Sequence, residues 1–93
     1  MSEDVVVALI HQGKDGFDLS FPDFPVVVAT GVSVDQAVEH GRVLLSLYVK
    51  GMDEVGLRVP RPRTVEELRD DPEFNDHSPL ATLAYVAIEW VDQ

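Results

Sequence analysis

Two-metal cleavage of a phosphodiester needs several carboxylates converging on divalent cations, because only a cluster of negative charge holds such ions close together. The acids that bear on strand-like segments are Asp4, Asp18 and Glu89. The apolar run from Val5 to Ile10 carries no acid at all. Asp4 stands at its start, Asp18 on the next strand-like segment and Glu89 on the last, near opposite ends and on faces that alternation alone leaves open. No metal site and no catalytic residue is expected from them. His11, His40 and His77 are far apart and show no H-x-x-x-H spacing, so they read as structural or surface histidines. Ser20, Ser33, Ser46 and Ser78 include no G-x-S-x-G elbow, and Gly13 and Gly16 are spaced as turn glycines, without a phosphate-binding G-x-x-x-x-G-K-[ST] loop. Met52, Tyr48 and Trp90 read as packing residues, and no cofactor is expected. Cysteine is absent, which removes disulfides and thiolate chemistry and suits a reducing cytoplasm.

Charge narrows the partner class. The 93 residues carry 17 acids against 7 Lys and Arg, a formal net charge of −10. A nucleic-acid backbone is repelled by such a surface unless the cations cluster. Arg58, Arg61, Arg63 and Arg69 do lie close together, but Pro60 and Pro62 interrupt them and Asp70, Asp71, Glu73 and Asp76 follow. They read as a solvated loop, and no direct nucleic-acid contact is expected. A basic protein is the natural complement. The start, MSEDVVVALIH, has acids where a secretory signal needs bases. No run approaches the roughly 18 apolar residues of a membrane span, and a cytoplasmic location is expected.

The elements that must position these residues follow from periodicity. Val5 to Gln12 is rich in β-branched residues and continuously apolar, which predicts a central strand covered on more than one side. Gly13-Lys14-Asp15-Gly16 is a hairpin turn. Phe17 to Phe21 alternates, with Phe17, Leu19 and Phe21 on one face and Asp18 and Ser20 on the other. Pro22 and Pro25 force a bend around Asp23 and Phe24, because proline has no donor for a ladder. Val26 to Thr30 is a third strand, and its proline-flanked start suits an edge.

Ser33-Val34-Asp35-Gln36 has the capping-box form and opens a helix over 34–54. Its apolar stripe is Val34, Ala37, Val38, Gly41, Leu44, Leu45, Tyr48 and Met52, and Gly41 within it predicts a close helix–sheet approach. Gly56 closes the helix. Thr64-Val65-Glu66-Glu67 is a second capping box, for a short helix ending near Asp71. Residues 72–79 read as a polar loop. Leu80 to Val91 reads as the last strand, with Ala81, Ala84 and Ala87 leaving a helix open.

The fold class is therefore α+β, in the order β-β-β-α-β within one domain over 1–93. A helical crossover returns the last strand parallel to the first and third, giving a mixed four-stranded sheet of order 3-2-1-4 with one long helix on one face. The expected core is Val7, Leu9, Phe17, Leu19, Phe21, Ala37, Gly41, Leu44, Leu45 and Tyr48.

The block 16–62 carries a resemblance. Gly16, Phe17, Phe21, Pro22, Asp23, Phe24, Pro25, Gly31, Ala37, Tyr48, Gly56, Pro60 and Pro62 fall in one register with the N-terminal domain of HicB-type antitoxins. That resemblance implies a truncated ribonuclease-H-like fold without the catalytic carboxylates, and a protein-binding role. Its implied partner is a HicA-type toxin, a small basic ribonuclease with a double-stranded-RNA-binding fold and a catalytic histidine, inhibited by covering its RNA-facing surface. Many members also carry a C-terminal DNA-binding module. This chain ends two residues after Val91, and no separate DNA-binding domain is expected in it. Val26 and Val27 stand where the family usually has glycine and a small or polar residue, and Val43, Leu44, Leu45 and Leu47 dilute an acid-rich helix.

Those departures place the candidate contact edge at Phe24, Val26, Val27, Val28 and Ala29 on the third strand, with Trp90 as a competing edge on the fourth. An open apolar edge invites pairing, so a dimer or tetramer is expected. Three functions are weighed: an antitoxin-like module that inhibits a HicA-type toxin leads, an orphan oligomeric adaptor of the same fold is second, and a degenerate nuclease, which would need three acids clustered on the sheet face, is third.

Overall fold

In the computed structural model, residues 5–88 are described. The strands are β1 (Val5–Gln12), β2 (Phe17–Ser20), β3 (Val28–Gly31) and β4 (Thr82–Ala87), and the helices are α1 (Val34–Glu54), α2 (Val65–Leu68) and α3 (Pro72–His77), with a 3₁₀ turn at Ser78–Leu80. The sheet order is β3-β2-β1-β4, as expected. β1 pairs β2 with Ile10 opposite Leu19, and β2 pairs β3 with Leu19 opposite Ala29.

The helix boundaries follow their caps. Ser33 is extended, and its hydroxyl accepts from the Gln36 backbone N–H at 3.1 Å. The Gln36 side chain reaches one residue beyond the usual box and accepts from Val32 N–H at 2.8 Å. Gly56, at φ +80°, ends α1 in the left-handed region that favours glycine. Thr64 and Glu67 complete a full capping box at α2.

The continuous apolarity of β1 has a direct cause. Val6, Ala8 and Ile10 pack under α1 with Leu19, Ala29, Ala37, Leu45, Val49 and Val86. Val7 and Leu9 point the other way, into a second cluster with Leu68 and Phe74. Both faces of the central strand are covered, and the second face takes α2 and α3.

Three expectations are corrected. β4 is antiparallel to β1, with Val7 opposite Tyr85, so the sheet is antiparallel throughout and not mixed. The chain crosses the molecule twice after β3. α1 takes it down one face, and the segment from Arg63 to His77 brings it back along the other. Arg63 is held at Asp23, beside the start of β3, and the His77 carbonyl accepts from His11 Nε2 at the far end of β1, 3.0 Å away. Two traverses reverse the direction that one would give. Residues 72–77 are helical, because Asp71 caps the Glu73 N–H and Pro72 sits at a helix start, where its missing donor costs nothing. Finally, Leu44 and Tyr48 are 43% and 38% exposed and Phe17 is half-buried, while the buried stripe of α1 is Ala37, Gly41, Leu45 and Val49.

Candidate interaction surfaces

β3 lies at the sheet edge, and the turn before it is built from the inside. Phe24 N–H donates to Phe21 O, and Val27 N–H to Phe24 O. Phe24 is 2% exposed and meets Tyr48 edge-on, ring centroids 6.3 Å apart. Asp23 ties the turn to the distant linker. Its carboxylate accepts from the Arg63 backbone N–H at 2.7 Å and from Arg63 Nε at 2.6 Å, and Arg63 Nη1 also reaches Asp71 at 3.1 Å. The bonds to Asp23, then that to Asp71, hold the Arg63 pKa above its ordinary value. The motif Pro22-Asp23-Phe24-Pro25 is thus a structural clamp, whose partner forty residues away the sequence did not name.

The candidate edge residues divide. The side chains of Phe24, Val27 and Ala29 are buried and belong to the core. Val26 and Val28 are 69% and 56% exposed. For Val28 the physical reason is pleat, since Ala29 beside it in β3 turns toward the core; Val26 and Val27 lie in the turn that precedes the strand, which begins at Val28 and not at Val26 as expected. Trp90 lies outside the described residues.

A groove beside the edge is lined by Val28, Ala29 and Thr30 from β3 and His40, Val43 and Leu44 from α1. His40 Nδ1 donates to the Thr30 carbonyl at 2.7 Å. Leu47, 61% exposed, continues the same flank one turn on. Sequence reasoning placed Leu44 in the core because it fits the helical stripe as well as Leu45 does. The spacing 40, 43, 44, 47 was the available sign of a second stripe.

The charged groups sit elsewhere. Glu66, Glu67, Asp70, Asp71, Glu73 and Asp76 populate α2, α3 and their junction. Two of the four clustered arginines are engaged internally, Arg61 with Glu67 at 3.0 Å and Arg63 with Asp23 and Asp71. The backbone N–H of Thr64 and then Arg61 lower the Glu67 pKa. The Glu73 N–H and then Arg63 do the same for Asp71.

Among the described residues no group of three or more His, Cys, Asp or Glu is arranged to hold a metal ion. Of the three strand-borne acids, Asp18 is described and faces His11 across the β1–β2 ladder, while Asp4 and Glu89 lie outside the described residues. No described helix is long and apolar enough to cross a membrane.

This sheet, its helix and the clamp can be set against known proteins. The family model for the HicB-like antitoxin of bacterial toxin–antitoxin systems matches residues 6–93. The chain belongs to the HicB-like antitoxin family. Among solved structures, this HicB-like chain is similar to the N-terminal domain of the Burkholderia pseudomallei antitoxin HicB, at 26% identity and a TM-score of 0.72, covering 92% of this chain and 99% of that one. The longer structure of the same antitoxin matches at 28% identity and a TM-score of 0.73, over 96% of this chain and 64% of that one. A chain of a HicA3–HicB3 toxin–antitoxin complex shares the fold at 20% identity and a TM-score of 0.71, over 92% of this chain and 99% of that one. An uncharacterized 14.9 kDa protein of Haemophilus phage HP1 is 27% identical over 67 residues, 72% of this chain. The chain spans about half the length of that phage relative.

Proposed function

We propose that this chain is a nonenzymatic, antitoxin-like binding module whose partner is a small basic ribonuclease toxin of the HicA type. The family match over 6–93 carries the reading. A similar chain occurs in a HicA3–HicB3 complex, which supports the choice of partner. The charge supports it too: a chain of formal net charge −10, six of whose 17 acids lie on α2, α3 and their junction, attracts a basic surface and speeds encounter. A chain without cysteine suits the cytoplasm, where such a toxin acts. Self-association through the β3 edge belongs to the same reading, and so does the absence of any direct nucleic-acid contact.

The test is co-expression with a neighbouring small basic protein, followed by pull-down and a growth assay. Co-purification with relief of toxicity is the expected outcome. If the partner is toxic and folded but neither binds nor is neutralised, the antitoxin reading fails. The exposed apolar flank of α1 then favours the orphan oligomeric adaptor.

A further inference from the structure

On the face of the sheet away from α1, α2 and α3 cover β1 and leave β2 and β3 open. Val7 and Leu9 of β1 pack beneath Leu68 and Phe74. Asp18 and Ser20 of β2, paired with Thr30 and Val28 of β3, share that face; Asp18, Val28 and Thr30 are exposed and Ser20 is half-buried. A groove of about 380 Å³ follows the boundary between α3 and the open strands. Ligand pockets span about 300–1,000 Å³, so this one suits a single inserted side chain better than a whole cofactor. Its floor is apolar, made by the almost fully buried Leu9, Phe21 and Phe74. Pro22 and Pro25 form one lip, and Glu73 and His77 of α3 the other. No lysine or arginine lines it.

The geometry points to this groove as the anchor pocket for one arginine side chain of a basic protein partner, its stem on Leu9, Phe21 and Phe74 and its guanidinium on Glu73. The inference rests on the basic-partner reading and deepens it by naming the contact.

The polar groups around the floor select that occupant, because they accept hydrogen bonds. The His77 carbonyl can only accept, so the His11 Nε2 that meets it carries the proton, and Nδ1 of the neutral ring is an acceptor. Asp71 is already committed, to Arg63 Nη1 and to the Glu73 N–H. The exposed Glu73 carboxylate has no hydrogen-bond or ion-pair partner among the described residues. Asp18, opposite His11 in the ladder, adds a second exposed carboxylate on the same face. Lys14, in the turn after β1, does not line the groove. A phosphate would meet carboxylates here, and an apolar side chain would gain nothing from them. Lysine carries a compact, strongly hydrated charge. Guanidinium is planar and weakly hydrated, pairs with a carboxylate through two donors, and lies well against flat apolar groups. Arginine is also among the side chains that anchor protein interfaces in pockets. A second copy of this chain would bring 17 acids against 7 Lys and Arg, and like charge opposes it.

The full chain is titrated with the blocked peptide acetyl-Ala-Arg-Ala-amide and with its lysine and citrulline analogues. Proton NMR follows the histidine rings at about pH 8, above the ordinary imidazole range. His11 and His77 line the groove, whereas His40 lies on α1 against Thr30, so the arginine peptide should shift the first two and leave His40 in place. A single anchor of this kind is expected to bind with a Kd of about 1 mM. Glu73→Gln, with circular dichroism and melting retained, should weaken binding about tenfold or more, the loss of one charged hydrogen bond. Glu54→Gln makes the same change of charge on α1 and should leave binding unaltered. No shift at about 10 mM arginine peptide overturns the inference. So do equal shifts from either analogue, or a Glu73→Gln chain that binds as the wild type does. His11 and His77 shifts that follow protein concentration without peptide would place a second copy there, and also overturn it. Peptide binding without capture of a basic toxin removes the toxin reading and leaves the pocket. Capture of the toxin without peptide binding removes the pocket and leaves the reading.

Discussion

Gly41 and Gly51 sit in the same helix and differ in what surrounds them, which makes a paired substitution a direct measure of the helix–sheet approach. A Cβ at Gly51 meets nothing within 4 Å, whereas at Gly41 it would lie 2.8 Å from Leu19 Cδ2 and 3.4 Å from Phe21 Cζ. Alanine at either position gains about 1 kcal/mol of helix propensity over glycine. At Gly51 nothing opposes that gain. At Gly41 the new methyl enters a layer where Leu19 and Phe21 are almost fully buried and have little room to yield. Overpacking of that kind costs about 1–3 kcal/mol. Gly51→Ala should therefore stabilise by about 1 kcal/mol, raising the melting temperature by about 4–8 °C for a domain of this size. Gly41→Ala should fall about 1–3 kcal/mol below it, near or under the wild type, and Gly41→Leu lower still. Urea unfolding at neutral pH, followed by circular dichroism, measures all three. If Gly41→Ala and Gly51→Ala stabilise equally, the close approach does not exist and the placement of α1 over the β2–β3 seam goes with it.

Asp23→Ala removes an almost fully buried carboxylate from two bonds to Arg63 and should destabilise by about 2–3 kcal/mol in the same assay, since hydrogen bonds to charged groups contribute about 1.5–3 kcal/mol; a loss under about 0.5 kcal/mol would show that the clamp is incidental. Acid should weaken the fold: Asp71 and Glu67 have lowered folded-state pKa values, so the unfolded chain takes up their protons first, and the stability they supply is complete above the ordinary carboxylate range and lost as pH falls below about 4. Replacing both with their amides should flatten that acid limb, and an unchanged limb would assign it to other carboxylates. Purified chain with magnesium or manganese should leave RNA, DNA and hybrid substrates intact; cleavage abolished by Asp18→Asn would contradict the nonenzymatic reading. A lysine at Val27 should unfold the domain, because that side chain is core, whereas Val28→Lys should leave it folded, a contrast that circular dichroism resolves directly.

The sequence by itself determined the local elements. Ser33, Gly56 and Thr64 mark helix ends through hydrogen bonds and backbone freedom confined to a few residues, so α1 begins and ends where its caps say. The unbroken apolarity of Val5 to Ile10 announced a strand covered on both faces, and the ordered glycines, prolines and aromatics of 16–62 carried the family resemblance. Only the tertiary structure decided the rest. The direction of β4 depends on how many times the chain crosses the molecule, which the short α2–α3 layer settles through long-range contacts to Val7 and Leu9. The pairing of Asp23 with Arg63 spans forty residues and leaves no local periodic mark. Periodicity places Leu44 and Leu45 equally well on an apolar stripe, and the valines of 26–28 equally well on either side of a strand. Which of them faces the core is fixed by where α1 lands on the sheet, through the close approaches at Gly41 and Gly31, and the side chains left outside by that landing are the ones available to a partner.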